Sequence, residues 1–273
     1  MRTVTTTPQA SLREQIRTVR ESILSIVVRM DDITLQRIPQ IRTDYALKIG
    51  CWEQALLEAE LAGRRAHRRL QLAQARSNRG DVPNMDAIER QLDSELAEWM
   101  DKVERGRIAY EQAIAYLTSM TPMSKKGTEE LKKTYRVLAK RLHPDVCAGN
   151  DKKRAALFML AQSAYRKGDV EMLRSLEVAT RHMDASEDDL ETTDDVGLLA
   201  QELELARIEE GVMLERLHDL ENSTEMRLAQ MLADPEWVTA QTNELRRAVE
   251  EWERVRKDCD ARLKRLREDH HEH

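Results

Sequence analysis

The 273-residue chain has little of what builds sheets, tight turns or thick cores. It has one Phe, nine Gly and six Pro, and aromatic residues make up only 4%. So few strand formers and glycine turns exclude a β-sandwich, a Rossmann fold or a collagen-like rod. Scarce aromatics point to slender bundles rather than one thick core. No apolar run approaches the roughly 20 residues that a membrane span needs. Residues 1–10 are polar and Thr-rich, with no apolar stretch of a secretory signal. The three cysteines, Cys51, Cys147 and Cys259, are odd in number and far apart, which fits neither a disulfide framework nor a CxxC site. A cytoplasmic, reduced protein without metal or cofactor is expected.

What is abundant is Ala, Leu, Glu, Lys and Arg, about half of the chain, the composition of long helices. The expected fold is all-α, with long antiparallel helical hairpins or coiled-coil arms flanking a short helical hairpin. Charge divides the chain further. Residues 1–124 carry 18 basic and 17 acidic side chains, residues 125–182 carry 14 and 7, and residues 183–273 carry 12 and 26. A basic middle between a neutral arm and an acidic tail marks domains. These are a helical stalk over 1–124, a basic segment over 125–182, an acidic linker over 183–195 and a helical hairpin over 196–273.

Within the stalk, Ser11 and Glu14 read as a capping box. Leu12, Ile16, Val19, Ile23, Ile26 and Met30 follow at alternating spacings of 4 and 3, a heptad stripe. Pro39 should break or restart that helix. A second helix runs from about Ile41 to Arg76 and carries the basic run Arg64, Arg65, His67, Arg68 and Arg69. Ser77 to Pro83 is the clearest turn, and its Arg79-Gly80-Asp81 triplet reads as turn chemistry, not an adhesion motif. A third helix carries Ile88, Leu92, Leu96, Trp99, Val103, Tyr110, Ile114 and Leu117 and should fold back on the second. Further on, a helix spans about Val196 to Ala233. Asp234-Pro235-Glu236 starts a last helix by N-cap and Pro at its first position. Its seam runs from Val238 through Trp252 and Cys259 to Leu266. The heptads over 12–30 and 238–266 allow self-association, without saying whether they pair within or between chains.

The basic segment is the most informative. Leu131, Tyr135, Leu138 and Leu142 make one apolar helical face, with Lys132, Lys133, Arg136, Lys140 and Arg141 around the rest. His143-Pro144-Asp145 ends this helix. A second helix places Phe158, Ala161 and Tyr165 at i, i+3, i+7. The two apolar faces can pack as a hairpin.

These residues resemble the J domain of DnaJ-type co-chaperones, over about 50 of the 273 residues. The likeness rests on the run Leu131 to Asp145 and on Phe158, Ala161, Ala164 and Tyr165. The layout also looks like bacterial J-domain proteins in which a helical hairpin precedes the J segment and a stretch like Ala164 to Leu173 follows it. No zinc-binding CxxCxGxG repeats are present, so it does not resemble full-length DnaJ. The family's first helix is missing, with only Ala115-Tyr116-Leu117 as a stand-in. Val137 and Val146 replace customary basic residues.

The resemblance implies docking on a heat-shock-70 (DnaK-type) chaperone and acceleration of its ATP hydrolysis. His143, Pro144 and Asp145 would be the trigger, and Lys132, Lys133, Arg136, Lys140 and Arg141 the electrostatic footprint. Basic rim charges would speed encounter, and Pro144 would limit the entropy lost on docking. The helical arms would select a client or partner. The plainer reading is a coiled-coil adaptor whose J segment is vestigial, with Pro144 stopping a helix and His143 near its C-terminus. The chain itself is not expected to be an enzyme, since no nucleophile–base pair or paired carboxylates can be placed. Nucleic acid is a weaker partner reading: the basic runs offer phosphate contacts, but no known binding motif accompanies them. The terminal Asp269-His270-His271-Glu272-His273 is not expected to form a metal site. The acidic tail could fold onto the basic segment and inhibit it.

Overall fold

The computed structural model describes residues 7–120, 123–144, 152–183 and 195–269. Every regular element among them is helical, so the chain is all-α. In order these are α1 (Pro8–Asp32), a π turn (Ile33–Arg37), α2 (Ile38–Tyr45), a second π turn (Ala46–Gly50), α3 (Cys51–Ser77), α4 (Met85–Glu95) and α5 (Ala97–Ser119). Then come α6 (Lys125–Leu142), α7 (Lys152–Lys167), α8 (Val170–Ala179), a 3₁₀ turn (Arg181–Met183), α9 (Val196–Glu221), α10 (Thr224–Leu232) and α11 (Pro235–Asp269). No helix among the described residues is long and apolar enough to cross a membrane.

Local chemistry sets most of the boundaries. Asn84, Ser124, Asp169 and Asp195 each cap a helix start by accepting a backbone N–H. Asp234 does the same for Glu236, with Pro235 first in α11, as the sequence predicts. Gly80 adopts φ +82°, and the N–H of Asp81 reaches back to the Arg76 carbonyl, closing α3. Only glycine enters that region at low cost, and the Arg-Gly-Asp triplet is this helix stop.

Three local expectations are corrected. The first helix starts at Pro8 with Thr7 as its cap, not at Ser11, because Pro at the first position presets φ. Pro39 does not break the chain's helix; regular α-helix restarts at Ile38, so Pro39 is the second residue of α2. The π turn just before it widens the backbone, and the Ile38 N–H reaches the Ile33 carbonyl, which accommodates a residue lacking an N–H. The third expected helix is divided at Leu96 into α4 and α5.

The helices gather into two compact units that do not follow the blocks 1–124, 125–182 and 196–273. One unit comprises Met1–Ile41 with Thr118–Arg227, the other Arg42–Leu117 with Leu228–His273. The expected hairpin over 196–273 is replaced by two separate pairings, α9 along α1 and α11 along α3. The seams explain this. On α1, Ile16 meets Leu199 and Leu203, while Ile26 and Ile33 meet Met213 and Leu217. Ion pairs Arg20–Glu202, at 2.6 Å, and Arg29–Glu221 flank that seam. The heptad stripe over 12–30 is therefore matched within the chain.

In the second unit, α3 offers small residues and α11 fills them. A Cβ on Gly63 would lie 2.6 Å from the Trp252 ring and 3.2 Å from the Trp252 carbonyl oxygen. Farther along, Ala73, Ile88, Leu92 and Leu263 form a core. The seam over 238–266 is thus also taken up within the chain. Arg64 lies over Trp99, 4.3 Å from its ring centroid, and pairs with Glu60 at 2.7 Å.

Candidate partner-docking site

The candidate site lies in the first unit, on a bundle of α6, α7 and α8. Tyr135, Leu138, Leu142, Phe158, Ala161, Tyr165, Leu173 and Leu176 form its core. Gly168, at φ +73°, stops α7, and Asp169 immediately caps α8, so the stretch Ala164 to Leu173 forms a tight corner.

A fourth helix closes this bundle, and it is not the expected one. Ala115-Tyr116-Leu117 belongs to the other unit, and Leu117 is exposed. Instead α1 contributes Leu24, with Val28 beside it, and the following π turn contributes Leu35. That turn also aims Gln36, whose buried side-chain amide donates to the Tyr165 carbonyl at the end of α7. The same carbonyl also accepts the Gly168 N–H, at 3.1 Å, so Gln36 fills its second lone pair. So α1 is apolar on two faces, one against α9 and one against α6–α8.

Polar contacts fix the register between α1 and α6. The Tyr135 hydroxyl donates to Asp31 at 2.6 Å and the Tyr165 hydroxyl to Asp32 at 2.7 Å. The two rings stack with centroids 4.1 Å apart. Burial first, then the Asp31 charge, raises the Tyr135 hydroxyl above its ordinary value of 10.0. Burial, then the hydrogen bond to Asp32, does the same for Tyr165.

The basic helix is not bare. Lys132 pairs with Asp32 at 2.9 Å, while Arg136 and Lys140 both reach Glu21, at 3.8 and 3.1 Å. Arg141 donates to the Glu177 carbonyl in the last turn of α8, where a cation is favoured. Lys133 is exposed and forms no ion pair among the described residues. Among the described residues, the acids that pair with Lys132, Arg136 and Lys140 come from α1; residues 184–194 of the acidic tail lie outside the described residues.

His143 forms the C-cap of α6, with ψ 128° and its N–H on the Ala139 carbonyl. The extended backbone follows from Pro144 behind it. The imidazole is 9% exposed and meets Phe158 edge-on, with centroids 4.7 Å apart. Pro144 is exposed. Asp145, Val146 and Cys147 lie outside the described residues, as does the tail His270–His273.

The other basic run is committed elsewhere. Arg65 pairs with Glu89 and Asp93, each at 2.6 Å, Arg68 with Glu95 at 2.7 Å, and Arg69 with Glu89 at 2.5 Å. The hydrogen bond from Arg68 pulls the exposed Glu95 carboxyl down to about 2. These arginines join α3 to α4. What favoured a phosphate-binding surface is here a cross-helix clamp.

Sequence reasoning missed Glu21, Leu24, Val28, Asp31, Asp32 and Leu35. A signal existed: Leu24, Val28, Asp31 and Leu35 recur at spacings of 4, 3 and 4, a second stripe offset from the first. No protein-family model matches the chain, and no curated protein or solved structure matches it.

Proposed function

We propose that the chain is a J-domain-type co-chaperone that docks on a heat-shock-70 (DnaK-type) chaperone and stimulates its ATPase. The observation that carries this is the seating of His143-Pro144. The pair sits where the basic helix ends, with the imidazole anchored on Phe158 of the next helix and Pro144 turned to solvent. Packing holds His143, so its side chain has little order left to gain on docking. His143, Pro144 and Asp145 act as the trigger. Lys132, Lys133, Arg136, Lys140 and Arg141 provide the positive face, and the long helices serve client or partner selection. The protein does no covalent chemistry itself.

The ion pairs of α6 add a condition. Glu21 and Asp32 occupy the basic stripe, so a chaperone surface competes with α1 for Lys132, Arg136 and Lys140. Exposed pairs of this kind are worth about 0.2–1 kcal/mol each, low enough to be exchanged. The same pairs favour a second reading, a helical adaptor in which the J segment is a packing module. Binding to an ATP-loaded DnaK-type chaperone separates the two. Docking abolished by both His143→Gln and Asp145→Asn supports the co-chaperone. Docking absent in the unaltered protein supports the adaptor.

A further inference from the structure

α9 is also apolar on two faces, and only one is covered. Leu199, Leu203, Met213 and Leu217 are buried, in the contacts with α1 described above. About a third of a turn away, Leu198, Leu205, Ile208 and Val212 are 56%, 61%, 57% and 43% exposed. With Gln201 they recur at spacings of 3 and 4, as a heptad seam does. Scattered exposed leucines need no explanation, but a contiguous stripe of this kind marks an interaction surface.

The rims of the stripe say what covers it. Glu202 and Glu209 lie along one edge, with Arg216 one heptad further on, and Glu204 lies along the other; Glu215 ends the seam itself. Glu202 is held by Arg20, whereas Glu204 and Glu209 have no ion-pair partner among the described residues. In a paired helix these are the positions that set partner choice by charge. A second copy aligned in parallel would set Glu204 against Glu209, and an anionic lipid surface would be repelled in the same way. Gly211 adds a second observation. It sits mid-helix beside Ile208 and Val212, where Gly costs about 1 kcal/mol relative to Ala. A Cβ there would meet nothing within 4 Å. No packing among the described residues calls for it, whereas a partner backbone approaching closely would.

We propose that the exposed face of α9 binds an amphipathic helix whose apolar stripe is edged by Lys or Arg. The inference goes beyond the co-chaperone reading and does not depend on it. If that reading holds, this face is where a basic helical client is held.

The test uses the full chain and two labelled peptides of about three heptads, with Leu at the seam and either Lys or Glu on both flanks. Fluorescence anisotropy should show saturable binding of the Lys-flanked peptide and none of the Glu-flanked one. Leu205→Asp should weaken that binding by at least about tenfold, with the helical circular dichroism unchanged because Leu205 is exposed. Glu204→Lys with Glu209→Lys should reverse the preference towards the Glu-flanked peptide. Equal binding of both peptides, or binding insensitive to Leu205→Asp, overturns the proposal. So does a dimer in sedimentation velocity that Leu205→Asp dissociates, since a second copy would then own the face.

Discussion

Tyr135 and Tyr165 stack face to face, and their hydroxyls end on the adjacent carboxylates Asp31 and Asp32. One pair of rings on α6 and α7 is thus locked to consecutive residues of α1. The N-terminal helix and the basic segment, about 100 positions apart in sequence, form one packed body. The arrangement ties the conformation of the candidate docking helix to a helix outside the J-like segment.

Alkaline titration reads this lock. Both hydroxyls are raised above 10.0 in the folded chain. Their contribution is full below the unfolded value of about 10 and is lost as pH climbs through the folded values. Tyrosinate absorbance from these two, obtained by difference from a Tyr135→Phe/Tyr165→Phe variant, should therefore appear only together with loss of helical circular dichroism. Its appearance near pH 10 in the folded protein would contradict the packing.

Leu24→Ala tests whether α1 is part of the bundle. Leu24 is 2% exposed in the core with Tyr135 and Tyr165. Removing a buried leucine costs about 2–5 kcal/mol. Hydrogen exchange should accelerate in α6, α7 and α8 as well as in α1. Acceleration confined to α1 would mean that the three helices stand without it.

Gly63→Ala sets two effects against each other. Intrinsic helix propensity favours Ala by about 1 kcal/mol. The new methyl would lie 2.6 Å from the Trp252 ring, and overpacking costs about 1–3 kcal/mol. A lower urea midpoint is expected, with a change in tryptophan fluorescence. A higher midpoint would show that α3 and α11 do not approach so closely.

Glu21→Gln addresses the competition between α1 and a chaperone for α6. It releases Arg136 and Lys140 from their shared partner. Affinity for the DnaK-type chaperone should rise by up to about fivefold, the equivalent of one exposed pair, and the gain should shrink at high salt. An unchanged or weakened affinity would remove the competition from the account.

The sequence made part of this legible and hid the rest for physical reasons. The all-α class follows from composition, and the faces of α6 and α7 from the period of Leu131, Tyr135, Phe158 and Tyr165. Asp234-Pro235 and Gly80 mark helix ends through backbone chemistry that acts locally. The partner of each seam is not local. The stripe from Leu12 to Met30 announces a buried face, but its register alone does not choose Leu199 over any other apolar residue. A helix buried on two sides also loses the contrast that reveals either. The first stripe of α1 masked Leu24, Val28 and Leu35, and Asp31 and Asp32 resembled ordinary surface acids until Tyr135 and Tyr165 were placed against them. The partners of Arg65, Arg68 and Arg69 were hidden for a related reason, because the acids that neutralise them lie on another helix.

Whether His143-Pro144-Asp145 acts as a trigger is read from single-turnover ATP hydrolysis by a DnaK-type chaperone from the same organism. The account predicts faster hydrolysis with the full chain, and loss of that stimulation with His143→Gln and again with Asp145→Asn, the helical circular dichroism being unchanged. No stimulation by the folded, unaltered protein, or stimulation that survives both substitutions, would contradict it.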